Sequence, residues 1–206
     1  QVSLMSDGEN LSAEHRSRIY RDIYDDSMWL INLVENLLSI TRMEGQGVHL
    51  HMETELLEEV IDEAMRHINR RHEHHTIRVN QVGDYILADM DARLIIQVIT
   101  NLVDNAVKYT PEGSTIMVNS RQEGASAVID VSDNGPGIPD ESKEKIFEMF
   151  YTTGHKSADG KRGMGLGLPL CRAILSATST IEVLDNKPAG SIFRLTLPAK
   201  EVSLHE

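Results

Sequence analysis

The stretch that decides the fold reads Asn101-Leu-Val-Asp-Asn105-Ala-Val-Lys108-Tyr109-Thr110. It ends a helical run predicted from Asp91. At 3.6 residues per turn, Asn101, Asn105, Lys108 and Tyr109 fall within roughly a quarter of the helix circumference. The other side collects apolar residues: Ile95, Ile99, Leu102, Val103 and Ala106. We expect one face to pack on a core and the other to carry chemistry.

The polar face has the groups that a metal-phosphate ligand needs. Two amide oxygens one turn apart can hold a hard cation, while an ammonium and a phenol can meet phosphate oxygens. The alternative is a solvated helix face that happens to carry two Asn residues. Asn is a poor interior helix former, so two of them on one face favour the functional interpretation.

A second cluster, Asp133-Asn-Gly135-Pro-Gly137-Ile-Pro139, follows a predicted strand from Ala125 to Asp133. Its carboxylate could accept a hydrogen bond from an exocyclic amine such as that of adenine. The glycines would let a flat ring lie against bare backbone. A tight turn without a ligand is the other interpretation.

A third cluster, Gly163-Met-Gly165-Leu-Gly167-Leu168, opens a predicted helix that continues to about Ala177. Backbone N–H groups and the helix dipole would face an anion there. The glycine spacing is not that of a dinucleotide fingerprint and no strand precedes it, which excludes hydride transfer. Before it lies a polar, basic stretch that we expect to be a mobile lid whose cations close over phosphates. Those cations are Lys156, Lys161 and Arg162.

Outward from these clusters, hydrophobic periodicity predicts an α/β (α+β) two-layer sandwich, with a mixed, mostly antiparallel sheet covered by helices on one face. The predicted helices are 12–44, 56–68, 91–109, 141–150 and 168–177. The predicted strands are 48–53, 76–79, 85–88, 114–120, 125–133, 180–184 and 191–198. The polar turn at 70–75 holds three histidines, but we expect it to keep them in water rather than on zinc.

The long first helix has an amphipathic stripe at three- and four-residue steps. The stripe consists of Ile19, Ile23, Leu30, Val34, Leu37 and Thr41. Such a stripe predicts a partner in another chain or in a segment outside this sequence, and packing on its own domain is the alternative.

Composition narrows the function further. Among 206 residues, 20 basic and 32 acidic side chains give a net charge of −12, which disfavours general nucleic-acid binding. A single cysteine fits a reducing compartment, so a cytoplasmic location is expected. No stretch is apolar enough to span a bilayer, and the start at Gln1 suggests a piece of a longer protein.

The clusters together, in this order, resemble the ATP-binding domain of sensor histidine kinases, within the superfamily that includes gyrase, the Hsp90 chaperones and the MutL repair proteins. The resemblance covers about Val48 to Pro198. It comprises an asparagine box, two glycine boxes, a phenylalanine box at Phe147 to Phe150, and a weaker terminal match at Gly190-Ser-Ile-Phe193. The stretch Ile40-Thr-Arg-Met-Glu44 resembles the end of the family's second dimerisation helix.

The resemblance implies ATP and magnesium as ligands. It implies that Asn105, with Asn101, holds magnesium, that Lys108 and Tyr109 meet the phosphates, and that Asp133 binds the adenine amine. Asn101, Asn105 and Lys108 would be the catalytic residues. The remaining implied nucleotide contacts are Gly135, Gly137, Ile138, Lys156, Lys161, Arg162, Gly163, Gly165, Leu166, Gly167 and Leu168.

One position bears on mechanism. Superfamily ATPases that hydrolyse carry Glu four residues before the magnesium Asn, where it can activate water, whereas this sequence has Asn101, which cannot take the proton. Transfer of the γ-phosphoryl to a protein histidine is therefore expected. No histidine here has the acceptor context; His15 comes nearest but lacks the Thr-Pro that follows an acceptor.

These implications define the expected protein. Residues 1–46 would be the C-terminal part of a dimerisation and phosphotransfer hairpin, 47–200 the catalytic domain, and 201–206 a tail. The parent protein would be a histidine kinase of a two-component system and itself a phosphoprotein. It would be homodimeric and anchored in the bacterial inner membrane. Its partners would be its own acceptor-His domain and a response regulator. The alternatives are a superfamily ATPase that gates by hydrolysis and a non-catalytic ATP-binding regulatory module.

Overall fold

The computed structural model describes residues 13–45, 50–68, 74–83, 85–152, 165–175 and 179–200. The helices are α1 Ala13–Gly45, α2 Leu57–Ile68, α3 Ala92–Tyr109, α4 Asp140–Lys143 and α5 Gly167–Leu175, with a 3₁₀ turn at Lys145–Phe147. The strands are β1 Glu53–Leu56, β2 Thr76–Val82, β3 Leu87–Met90, β4 Thr115–Glu123, β5 Ser126–Asp133, β6 Thr180–Asp185 and β7 Ser191–Lys200.

The strands form one mixed sheet in the order β1-β3-β7-β5-β4-β2, with β6 also paired to β7. Only the β2–β4 pairing is parallel among the described strands, which confirms the expected mixed, mostly antiparallel sheet. Along one edge, β7 pairs with β5. Along its other edge, β7 pairs with β6 through residues 191–196 and with β3 through residues 199–200. The strand that ends at Asp133 is thus central.

The core lies between this sheet and helices α2, α3 and α5. Alternate residues of β5, Ala127, Ile129 and Val131, belong to the same buried cluster as Ile99 and Leu102 of α3. Burial of such side chains contributes roughly 1.5–3 kcal/mol each, and it holds α3 over the sheet with its polar face turned away from the core.

The face of the sheet opposite the helices carries a row of polar side chains in register across five strands. The row runs Asn80, Asn119, Asp130, Arg194 and Glu182. Arg194 donates from Nε to Asp130 Oδ1 at 2.8 Å, and an arginine of β4 donates to Oδ2 at 2.7 Å. These hydrogen bonds satisfy the carboxylate of Asp130, which is only 7% exposed.

Three element predictions were wrong in position. No strand lies at 50–52; β1 begins at Glu53, because it pairs with β3 in a register that sets Glu53 opposite Met90. β3 itself starts two residues later than predicted. The helix predicted over 141–150 is interrupted, since Glu148 is extended and Phe150 has a φ of 65°, which a right-handed helix cannot include. The other helices and strands lie at or near their predicted places.

α1 is present as a single helix, and most of its apolar stripe is exposed. Ile23, Leu30 and Val34 are each more than half exposed, while Leu33 packs against the core cluster. Its assignment to a dimerisation hairpin stays a prediction. Within the described part of the chain, no helix has the length and apolar character needed to cross a membrane.

Candidate functional site

Helix α3 is the element from which the site is built. Its N-cap Asp91 accepts the Leu94 N–H through Oδ1 at 3.4 Å and the His51 N–H through Oδ2 at 3.1 Å. Capping of this kind stabilises a helix start by about 1 kcal/mol. The helix is therefore tied at one end to the β1 side of the sheet, and its polar residues are presented from a rigid element.

Asn101 lies where α3 meets α5. Its Nδ2 atom is buried and has no hydrogen-bond partner among the described residues. Burial raises the pKa of the neighbouring Cys171 thiol to about 12, and the nearby Asn101 side chain opposes that rise without cancelling it. Cys171 therefore stays a neutral thiol, and the Asn101 amide is held between two helices rather than in solvent.

Asn105 lies one turn further along, beside the start of α5. A Cβ atom placed on Gly167 would stand 4.0 Å from Asn105 Nδ2, so these two predicted site residues are close neighbours. Because Gly167 is the first residue of α5, its end of the helix has backbone N–H groups without intrahelical partners. The side-chain amide of Asn105 and a helix N-terminus thus lie together.

The end of α3 contacts the Asp133 turn. Thr110 donates from Oγ1 to the Ala106 carbonyl at 2.7 Å, which orients its methyl group. A Cβ on Gly135 would lie 2.6 Å from that methyl and 2.9 Å from Asp133 Oδ1, closer than atoms can approach. Only glycine fits there, so the glycine turn is packed against the helix that carries both asparagines.

Asp133 is a buried carboxyl group, 8% exposed, at the end of β5. Burial raises its pKa above the ordinary value, and backbone N–H groups of Gly135 and Ser191 oppose that shift without cancelling it. The Gly135 N–H donates to Oδ1 at 2.8 Å. A carboxyl group held by N–H donors in this way keeps acceptor capacity for a ligand amine.

Lys108 and Tyr109 complete the polar side of α3. The Lys108 ammonium lies 5.5 Å from the centroid of the Tyr109 ring. Burial raises the pKa of Tyr109 above its usual value of 10, so its hydroxyl remains a neutral donor at physiological pH. An ammonium and a phenol on neighbouring residues provide two hydrogen-bond donors suited to phosphate oxygens.

The Gly165 segment is tied to the residues that follow the 3₁₀ turn. The Phe150 N–H donates to the Gly165 carbonyl at 2.8 Å, and Tyr151 Oη lies 3.0 Å from Ser142 Oγ. Leu166 is 1% exposed and belongs to the core cluster, and Leu168 packs against the same cluster; both remain predicted nucleotide contacts.

Helix α3 connects several of the predicted residues. Asn105 lies beside the start of α5, and Thr110, just after the end of the helix, contacts Gly135 of the Asp133 turn. Gly137 and Ile138 continue the Asp133 turn, with Ile138 packed against the core. Four predicted contacts lie outside the described residues: Lys156, Lys161, Arg162 and Gly163.

Sequence reasoning missed one contributor to the site, Asn186. It donates from Nδ2 to the Asp133 carbonyl at 2.7 Å across 53 residues of sequence. No motif contains it, and the only nearby signal was the Gly190-Ser-Ile-Phe193 match.

Comparison with known proteins yields one matching family model, described as "Histidine kinase-, DNA gyrase B-, and HSP90-like ATPase", over residues 90–201. The sensor protein KdpD of Clostridium acetobutylicum is 36% identical over 197 residues, covering 95% of this chain and 22% of KdpD. KdpD of Escherichia coli K12 is 35% identical over 167 residues, 81% of this chain and 18% of that protein.

Among solved structures, the catalytic domain of histidine kinase ThkA superposes with a TM-score of 0.61 at 27% identity. It covers 72% of this chain and 96% of the ThkA domain. Helices on an open, mixed sheet are common to both. The chain spans about a fifth of the length of these two KdpD proteins.

Proposed function

Because the chain belongs to the histidine kinase-, DNA gyrase B- and HSP90-like ATPase family, we propose that it is the ATP-binding catalytic part of a two-component sensor histidine kinase. In this proposal it binds Mg-ATP and transfers the γ-phosphoryl group to an acceptor histidine outside this sequence. A response regulator then receives the phosphoryl group on Asp. The observation that carries the proposal is the packing of the Asp133 turn and of the α5 start against one helix, α3.

Base recognition is assigned to Asp133. A buried carboxylate already holding N–H donors can accept from the 6-amino group of adenine, and Gly135 leaves no side chain above the turn. A charged acceptor in a buried site contributes roughly 1.5–3 kcal/mol to such a bond. This is enough to make adenine the preferred base.

The donor set of α3 fits magnesium and phosphate. Asn101 and Asn105 offer amide oxygens, which magnesium accepts as ligands, and the ion would supply charge neutralisation between phosphate oxygens. Lys108 and Tyr109 would donate to the phosphates from the same helix. The start of α5 would add backbone N–H groups, and Lys156, Lys161 and Arg162 would add cations.

Asn101 favours transfer over hydrolysis. An amide cannot take the proton of an attacking water, so the general base of a hydrolytic ATPase is missing at that position. The γ-phosphoryl group would pass to a nitrogen of the acceptor imidazole as its bond to the ADP oxygen breaks. The chain's own residues would bind, orient and neutralise charge.

The rest of the parent protein follows from the same assignment. α1, with its exposed apolar stripe, would be the second helix of a dimerisation hairpin in residues 1–46, and 47–200 would be the catalytic domain. We propose a cytoplasmic location for this part, in a homodimeric phosphoprotein anchored to the inner membrane. Its acceptor-His domain and response regulator would be the direct partners.

The test is phosphoryl transfer in trans. The 206-residue chain, ATP labelled at the γ-phosphate and magnesium would be mixed with an acceptor-His domain and a response regulator of a related kinase. We expect acid-labile label on the acceptor domain and then on the regulator, and none on this chain. Asn105→Ala should reduce transfer to background, and Asn80→Ala, a matched change on the outer face of the sheet, should not.

Two results would contradict the proposal. Label on this chain itself, for example on His15, would mean that the acceptor is not outside it. Release of inorganic phosphate without label on any protein would favour the hydrolytic ATPase instead.

A further inference from the structure

The loop between β6 and β7, residues 186–190, contacts the main chain of Asp133, the residue whose carboxylate is proposed to recognise the base. Asn186 donates from Nδ2 to the main-chain carbonyl of Asp133 at 2.7 Å, in a part-buried hydrogen bond. The two residues are 53 positions apart, so this contact exists only in the folded protein. Asn186 is therefore a candidate for controlling where Asp133 sits.

Gly190 brings the same loop into close contact with Asp133. A Cβ on Gly190 would lie 1.9 Å from the Asp133 carbonyl oxygen and 3.0 Å from the Cα of Asn134. Gly190 also has a φ of 113°, which other residues rarely adopt. The loop backbone is thus packed against the turn with no space between them.

Asn186 also shapes its own loop. Its side-chain Oδ1 accepts the N–H of Lys187 at 2.9 Å, and its backbone N–H donates to the Gly190 carbonyl at 3.0 Å. One end of the side-chain amide therefore closes the loop while the other holds Asp133. A side chain at position 186 that could accept the Lys187 N–H but had no N–H to donate would leave the Asp133 carbonyl without this hydrogen bond.

The residue after the loop, Ser191 of β7, interacts with the carboxyl group itself. The N–H of Ser191, the first residue after the loop, opposes the rise in the pKa of the Asp133 carboxyl group, as does the N–H of Gly135, which donates to Oδ1. The loop thus contacts the main chain of Asp133, and the residue that follows the loop interacts with its carboxyl group. A shift of that loop would move the carboxylate.

We propose that Asn186 is a positioning residue for base recognition, which sets the discrimination between 6-amino and 6-oxo purine nucleotides by holding Asp133 in place. This inference rests on the proposed function. A carboxylate only accepts hydrogen bonds, so it attracts a 6-amino group and repels a 6-oxo group. This discrimination requires that the carboxylate and a mismatched 6-oxo group cannot move apart to relieve their repulsion. A loosely held Asp133 would lose part of the amine bond and would turn away from a 6-oxo group.

The experiment measures the ratio of ATP to inosine triphosphate affinity by calorimetry, with magnesium, in the 206-residue chain. Asn186→Ser removes the long donor but leaves a hydroxyl that can accept the Lys187 N–H. Asn186→Asp keeps the size and the acceptor and cannot donate, so it gives a second measurement should the serine variant fail to fold. Asn80→Ser is the matched control, since Asn80 lies exposed on β2.

We expect the affinity ratio to fall about three- to tenfold in both Asn186 variants and to stay at the wild-type value in the control. A purely structural role would lower the thermal unfolding midpoint and leave the ratio unchanged in the folded protein, which would overturn the inference. Wild-type protein that binds ATP and inosine triphosphate equally would also overturn it while leaving the proposed function intact. Wild-type protein that binds neither would overturn both.

Discussion

Asp133→Asn tests the central assignment of the site with the smallest change in shape. The amide keeps an oxygen for the Gly135 N–H, which donates to Oδ1 at 2.8 Å. The other position becomes an NH₂ group, which faces the 6-amino group of adenine donor to donor. Loss of a charge-assisted hydrogen bond in a site only 8% exposed costs roughly 1.5–3 kcal/mol. ATP affinity should therefore fall about 10- to 100-fold.

The same substitution should favour the opposite base. An NH₂ group can donate to the 6-oxo group of inosine triphosphate, which the carboxylate repels. Affinity for inosine triphosphate should rise or hold while affinity for ATP falls, so that the preference is reversed. Asp133→Ala, which lacks both groups, should weaken ATP binding without this gain.

Folding stability should respond in a different direction from binding. Burial raises the pKa of Asp133, so the ionised carboxylate is a cost to the folded state once the pH rises through that raised pKa. Asp133→Asn removes this cost, and its free energy of unfolding at neutral pH should equal or exceed that of the wild type. At a pH below the ordinary Asp range the difference should vanish. Weaker ATP binding by Asp133→Asn would then not result from loss of the folded state.

Calorimetric titration with both nucleotides and urea unfolding at several pH values are the measurements. ATP affinity within twofold of wild type in Asp133→Asn would refute the assignment of Asp133 to the base. A fall in affinity for both nucleotides by the same factor would refute the hydrogen-bond argument, because it would indicate general damage to the site.

Three further predictions concern other parts of the molecule. Asn101→Glu should raise slow ATP hydrolysis modestly, since a carboxylate can activate water, and a phosphate-release assay would show no change if the argument is wrong. Gly190→Ala should weaken ATP binding and lower the thermal unfolding midpoint, because its Cβ would overlap the Asp133 carbonyl oxygen; normal values for both would contradict the close packing. Burial raises the pKa of Asp130, but the hydrogen bonds and charges of its two arginine partners outweigh it and leave the pKa lowered. Asp130→Asn should therefore cost about 1–3 kcal/mol of unfolding free energy near neutral pH, a difference that shrinks as the pH falls below about 4, and a pH-independent difference would refute the ion-pair argument.

Much of the fold could be predicted because it depends on local periodicity. The helices at α2 and α3 begin within a residue of their predicted starts, since their apolar residues recur at the spacing of one helix face and Asp91 caps α3. The strand at 50–52 and the helix over 141–150 were wrong because pairing with β3 and the left-handed backbone of Phe150 decide those segments. Neither leaves a periodic signal.

The sequence by itself determined which chemical groups share the polar face of α3, because residues three and four apart on a helix must lie together. It also determined that Asp133 precedes a glycine turn. Only the tertiary structure decided that Asn186 holds Asp133, that Gly135 meets Thr110 and that Asn105 lies beside Gly167. These contacts join residues from 25 to more than 60 positions apart, and they follow from which strand edges pair and which helix faces are buried. Such choices are made by the free energy of the whole packed core, which no short stretch of sequence contains.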